Sequence, residues 1–250
     1  MLALITDYGY KDVYAGILKI VAKEVCKDAE IIDVTHGIEP FNVLEGAVAT
    51  LVAAKHLPEG STLVAVVDPG VGSEREAVAA RVGGRFLIGP NNGLLWLAAQ
   101  ELGLEKAVRI EKKLVRYSSH TFHGRDLFVP AGAFLECGGG LEELGPETSL
   151  TPLPFELYAK LGDKRVETVA VYVDRFGNVM TWAKEAPFEL GELVRVNGRP
   201  ARFVRTFSEV KPGELAVYIN SFGYLEVAQY MGDASKSLGL RPGDPVVVEA

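Results

Sequence analysis

Three short polar strings interrupt the apolar texture of the first half of this 250-residue chain, and each carries a side chain able to do chemistry. They are Asp7 in Thr6-Asp7-Tyr8-Gly9, Asp68 in the run from Val67 to Arg75, and His123 in Thr121-Phe122-His123-Gly124-Arg125-Asp126. A carboxylate accepts two hydrogen bonds at once, which suits a vicinal diol such as a ribose. An aspartate beside an arginine, as Asp68 would be beside Arg75, is held ionised and becomes a weaker base but a well-oriented acceptor. A histidine near its pKa can orient a water molecule or take its proton. Each residue also has an ordinary reading: Asp7 as a helix cap, Asp68 as a turn residue before Pro69, and His123 with His120 as a structural pair. His120-x-x-His123 has no third ligand in register, so no metal site is expected. A metal-dependent hydrolase built on Asp7, Asp12, Asp68, His120 and His123 ranks low. The Gly70 to Gly72 segment is too short for a phosphate loop.

The elements that must position these residues follow from periodicity. Leu2 to Thr6, Glu30 to Thr35, Ser61 to Val67, Ala77 to Val82, Arg85 to Ile88 and Ala107 to Ile110 read as strands. Val13 to Cys26, a helix capped by Asn42 through His56, Asn92 to Leu102 and Asp126 to Glu136 read as helices. Gly83-Gly84 predicts a tight hairpin between two of the strands. This alternation predicts an α/β domain with a mainly parallel sheet over residues 1–145, and in such sheets ligands bind beyond the carboxyl ends of the strands. All three polar strings fall there. A Pro-, Thr- and Ser-rich linker is expected over 146–155. Beyond it, Val166 to Val173, Val179 to Trp182, Leu193 to Val196, Ala201 to Val204, Leu215 to Ile219, Tyr224 to Ala228 and Pro245 to Glu249 predict a smaller all-β barrel over 156–250, with Asn197-Gly198 as a hairpin turn.

A 48% hydrophobic content supports a sizeable core, and 26 basic against 33 acidic residues, net −7, argue against nucleic acid or an anionic membrane as partner. No stretch reaches the roughly 18 apolar residues of a membrane span, and a cytoplasmic protein is expected. Cys26 and Cys137 lie far apart outside any C-x-x-C pair and are expected as buried free thiols. Six asparagines and two glutamines are few for this length, a composition associated with heat-adapted proteins.

Eight strings taken together resemble one family. Ile5 to Gly9, Asp33-Val34-Thr35-His36, Phe41 to Gly46, Val67 to Gly72, Gly89 to Gly93, Thr121 to Asp126, Asp174-Arg175-Phe176-Gly177-Asn178 and Asn220 to Leu225 are similar, in this order, to the S-adenosylmethionine hydroxide adenosyltransferases. These are relatives of fluorinating and chlorinating enzymes that attack the same molecule. The resemblance covers nearly the whole chain. It implies a homotrimer whose sites lie between one subunit's N-terminal domain and its neighbour's C-terminal domain, with S-adenosylmethionine as substrate and no cofactor.

By that resemblance Asp7 would hold the ribose hydroxyls and Phe41 would cover the sugar. Asp174 would grip the methionine ammonium, Asn178 would meet the adenine edge, Phe207 would stack on the base, and Ser221, Glu226 and the backbone near Met231 would complete the contacts. Halide-using relatives carry a tyrosine at the position of Asp68, no histidine at that of His123, a serine at that of Gly124, and a long loop in place of Gly83-Gly84. This chain departs from them at all four. Asp68, Arg75 and His123 match the water-using branch, in which Asp68 and Arg75 would orient the water, with His123 orienting it too and a candidate to receive the proton. The expected activity is hydrolysis to adenosine and L-methionine. The alternative is a module that binds S-adenosylmethionine or adenosine without efficient turnover.

Overall fold

A computed structural model describes residues 1–250, which divide into two compact units, Met1–Pro154 and Phe155–Ala250. The first unit is built on β1 (Leu2–Thr6), β2 (Ile31–Thr35), β3 (Thr62–Val66), β4 (Ala77–Val82), β5 (Arg85–Pro90) and β6 (Leu104–Arg109), in the order β2-β1-β3-β5-β4-β6. Helices α1 (Tyr14–Val25), α2 (Val43–His56), α3 (Trp96–Leu102) and α4 (Val129–Glu136) complete it. Every residue of β1 and β3 is buried, as expected for strands covered on both faces, whereas edge strand β2 alternates in exposure. Asn42 caps α2, its side chain accepting from the Glu45 N–H at 3.0 Å.

The sheet is mixed, which corrects the expectation of a mainly parallel one. The pairs β1–β2, β1–β3 and β3–β5 are parallel, and β4 runs antiparallel to both β5 and β6. The reason lies in the turn. Gly83 and Gly84, at φ +52° and +74°, close a two-residue hairpin, and a hairpin joins antiparallel neighbours by construction.

The cysteines also depart from expectation. Cys26 and Cys137 form a disulfide across 111 residues of sequence, with Cα atoms 5.8 Å apart, in place of two free thiols. They are the C-terminal caps of α1 and α4, helices that pack against each other, so tertiary folding makes neighbours of residues whose spacing carries no pairing signal. The segment expected as a linker is tied down as far as Thr151: Pro146 accepts from Arg109 N, Thr148 N donates to Ala107 O, and Thr151 N donates to Asn91 Oδ1.

The second unit contains β7 (Ala159–Gly162), β8 (Arg165–Val173), β9 (Val179–Thr181), β10 (Leu193–Val196), β11 (Arg199–Phe203), β12 (Leu215–Ile219), β13 (Leu225–Gln229), the short helix α5 (Ala234–Leu238) and β14 (Pro245–Glu249). The order β14-β10-β11-β12-β13-β9-β8 closes through β14–β8 pairing into a seven-stranded barrel, with β7 added outside on β8. Its core includes Val166, Val217, Leu225, Val227, Val246 and Val248. Closure leaves the barrel strands no free edge, as a β-unit needs if it is not to pair with other chains. No helix of the structure is long and apolar enough to cross a membrane.

Candidate functional site

The first unit carries a cavity of about 260 Å³ beyond the carboxyl ends of β1 and β3, lined by Asp7, Tyr8, Tyr14, Pro40, Phe41, Asp68, Val71, Thr121, His123 and Gly124. Asp7 leaves β1 directly. Its Oδ2 accepts the Phe41 N–H at 3.0 Å, and Phe41, a residue 70% exposed, sits at φ +66° in the cavity lining. Burial raises the Asp7 pKa above the usual carboxylate value, against the lowering effect of that N–H. An anchored carboxylate with capacity left to accept is what a diol requires.

Asp68, Arg75 and His123 form one connected array. Arg75 Nε donates to Asp68 Oδ1 at 2.9 Å and Nη2 to Asp68 Oδ2, a bidentate pair in which both side chains are largely buried. Nη2 also donates to His123 Nδ1 at 2.9 Å. The guanidinium lies over the Phe128 ring, 5.1 Å from its centroid. Arginine has no acceptor and keeps its protons, so Nδ1 must be the acceptor here, and the hydrogen of the neutral imidazole belongs on Nε2. Burial first, and Arg75 second, lower the His123 pKa below its ordinary value, so the ring is neutral at neutral pH. His123 caps one turn of π-helix, Gly124–Phe128, that leads into α4. Such turns are rare and frequent at functional sites.

Two partners of this site were not singled out from sequence. His36, buried at the end of β2, has Nδ1 2.7 Å from Thr6 Oγ1 and Nε2 3.2 Å from Asp33 Oδ1. Thr6 Oγ1 in turn accepts the Tyr8 N–H at 3.1 Å, and the His36 carbonyl accepts the Gly9 N–H at 2.7 Å. The bonds of Thr6 Oγ1 and of the His36 carbonyl fix the Asp7 to Gly9 loop. Tyr8 is the other: its ring packs edge-on to Phe122, and a Cβ on Gly124 would stand 2.7 Å from its Oη. The only sequence signal for either was membership of the strings Thr6 to Gly9 and Asp33 to His36.

All six residues singled out in the second half of the chain meet at one cavity of about 760 Å³ in the barrel unit: Asp174, Asn178, Phe207, Ser221, Glu226 and Met231. Asp174 organises its own turn, Oδ1 accepting from the N–H groups of Phe176 and Asn178 and Oδ2 from Asn178 Nδ2, each at 2.9 Å. Asn178 thus commits a donor to Asp174. Glu226 is occupied too, by Tyr218 Oη at 2.5 Å and Asn220 Nδ2 at 2.7 Å. Phe207 forms an aromatic wall with Tyr218 and Tyr230, at ring distances of 6.3 and 6.2 Å. The side chains Asp12 and His120 line neither cavity, and no group of three or more His, Cys, Asp or Glu is arranged to hold a metal ion.

An α/β unit presenting a carboxylate, a carboxylate–guanidinium–imidazole array and a cavity onto which both open, joined in sequence to a closed β-barrel with an aromatic and acidic pocket, defines a class of small-molecule enzyme. The chain matches the N-terminal domain of SAM hydroxide adenosyltransferases over residues 2–145 and their C-terminal domain over residues 169–247, and it belongs to this family. It is 38% identical to the (R)-S-adenosyl-L-methionine hydrolase of Thermus thermophilus, covering 97% of this chain and 96% of the relative. It is 40% identical to that of Salinispora tropica, covering 98% and 96%. A fluorinase of Actinopolyspora mzabensis is more distant at 26%, covering 99% and 96%. The crystal structure of a conserved protein from Thermotoga maritima superposes with a TM-score of 0.92 at 35% identity, covering 99% of this chain and all of that one.

Proposed function

We propose that the chain hydrolyses S-adenosyl-L-methionine to adenosine and L-methionine, with water attacking the ribose C5′. The observation that carries this reading is the array of Asp68, Arg75 and His123 opening onto the same cavity as Asp7. The C5′–O bond forms as the C5′–S bond breaks. The electron pair leaves with sulfur, and methionine departs as a neutral thioether that needs no acid and no metal. The attacking water supplies one proton to be removed.

Alignment of that water accounts for most of the rate, since well-oriented groups contribute at most about 7–11 kcal/mol. Asp68, fixed bidentately by Arg75, accepts a hydrogen bond from the water and then its proton. A weak base suffices, because the oxygen becomes a strong acid once bonded to carbon. His123 presents Nε2–H, so it orients the oxygen by donation and does not receive the proton first. Asp7 holds the ribose hydroxyls beneath Phe41. In the barrel pocket, Asp174 attracts the ammonium, Asn178 meets adenine, Phe207 stacks on the base, and Ser221, Glu226 and the backbone near Met231 complete the contacts. Neither cavity alone carries both sets, and the family resemblance supports a homotrimer in which one subunit's first unit faces its neighbour's second. A cytoplasmic setting belongs to the same reading; heat-adapted organisms keep disulfides in intracellular proteins.

Incubation with S-adenosylmethionine in oxygen-labelled water tests the proposal. Label in the 5′ hydroxyl of adenosine, with methionine formed in equal amount, is the expected result. Tight binding without either product would instead favour the non-catalytic module.

A further inference from the structure

The Tyr8 hydroxyl borders the cavity yet bonds to nothing in the protein. Its ring is fixed, packed 5.8 Å from Tyr14 and 5.9 Å from Phe122 between centroids, and its backbone is held by Thr6 Oγ1. The oxygen lies against Gly124, the residue after His123, so closely that any side chain there would collide with it. The oxygen is not sealed from solvent, and Tyr8 lines the cavity that Asp7, Asp68, His123 and Gly124 also line. A half-buried, rigid phenol left unpaired at such a place is a donor available to a ligand.

We propose that Tyr8 is a further catalytic residue, donating a hydrogen bond to the new 5′ oxygen of adenosine once the C5′–O bond has formed and a proton has passed to Asp68, which frees a lone pair that the attacking water does not have to spare. This rests on the hydrolytic reading above. Burial and the neighbouring carboxylates of Asp7 and Asp68 raise the phenol pKa, so the group remains an O–H donor and is no base. Gly124 has a matching role. Its missing side chain leaves room for the phenol, whose oxygen would stand 2.7 Å from a Cβ placed there.

The test compares adenosine with 5′-deoxyadenosine, which lacks the oxygen in question, as ligands of wild type and Tyr8→Phe. In wild type adenosine should bind the more tightly. In Tyr8→Phe, adenosine affinity should fall about tenfold, the scale of one neutral hydrogen bond, while 5′-deoxyadenosine affinity stays within about twofold. Turnover should fall in kcat more than KM rises. Gly124→Ala should damage turnover in wild type and damage it less in the Tyr8→Phe background, where the colliding oxygen is gone. Equal losses for both nucleosides, or no loss for either, would overturn the role of Tyr8 while wild-type adenosine formation keeps the hydrolytic reading standing. A wild-type protein that binds neither nucleoside and forms no adenosine overturns that reading and this inference together.

Discussion

Arg75 Nη2 and His123 Nδ1 lie 2.9 Å apart, and the same nitrogen of Arg75 also reaches Asp68. One guanidinium therefore sets both the aim of the carboxylate and the tautomer of the imidazole. Protonation of His123 would place a hydrogen on Nδ1 facing a cation. Burial and Arg75 both disfavour that charged form, so the neutral ring persists to lower pH than for a free histidine. Activity should be level from neutral pH down past the usual histidine value of about 6.5 and fall only below it. His123→Asn should lose roughly 10²-fold in kcat/KM and lose the acidic limb. A limb that survives this substitution belongs to another group.

Asp68→Asn keeps the shape of the side chain and removes its charge. Turnover should drop roughly 10²–10⁴-fold, while adenosine affinity, measured by calorimetry, changes only a few-fold. Asp7→Asn should do the reverse, raising KM more than it lowers kcat, if its carboxylate has the proposed part in binding the ribose. Unchanged turnover in Asp68→Asn would remove that residue from the mechanism.

Mixed oligomers test the shared site. Asp68→Ala disables the cavity of the first unit and Asp174→Ala that of the second, so each variant alone should be nearly inactive. After subunit exchange at equal amounts, about one quarter of the inter-subunit sites combine two intact halves, and activity should recover to that fraction. A mixture as inactive as its components would show that both halves come from the same chain.

Glu45, buried in the first turn of α2, has its carboxyl pushed up to about 7, mainly by burial. Its folded pKa exceeds the unfolded value, so its stabilising contribution is complete below about pH 4.3 and is lost as pH rises through 7. Glu45→Gln should therefore stabilise the protein at pH 8 by about 1–3 kcal/mol and do little at pH 4, as thermal unfolding at the two pH values would show. A gain at pH 4 equal to that at pH 8 would contradict the assignment.

The disulfide closes a loop of 111 residues within the first unit. Cys26→Ala, Cys137→Ala or exhaustive reduction should each cost about 3–5 kcal/mol of stability, read as a lower Tm. The double variant should match either single one, since the bond is lost once. Near-native Tm in the reduced protein would show that packing of α1 on α4 suffices.

Much of the fold was legible because burial imposes periodicity. β1 and β3, buried on both faces, read as short apolar runs, and the paired glycines at 83–84 and the Asn197-Gly198 turn marked hairpins. What escaped had no local signature. β7 is exposed along its whole length and pairs only with β8, so nothing in Ala159–Gly162 alternates. The helix expected from Asn92 starts at Trp96, because Asn92 Oδ1 accepts from Leu94 N and Nδ2 donates to Val67 O, holding the preceding residues as a turn. Within the site, Asp68, Arg75 and His123 could be gathered by resemblance, but the tautomer of the imidazole could not: it depends on one nitrogen of Arg75 reaching two residues 55 apart in sequence. The disulfide, the His36–Thr6 bond and the Tyr8–Gly124 contact are likewise products of tertiary proximity.

Helices α1 and α4 are joined by that disulfide at their C-terminal ends, while Tyr14 at the start of α1 and Gly124 in the turn before α4 line the cavity. The pair resembles tongs riveted at the handle. Any splaying of the two helices is therefore restrained at the end away from the cavity, and freedom between them is left to the end that lines it.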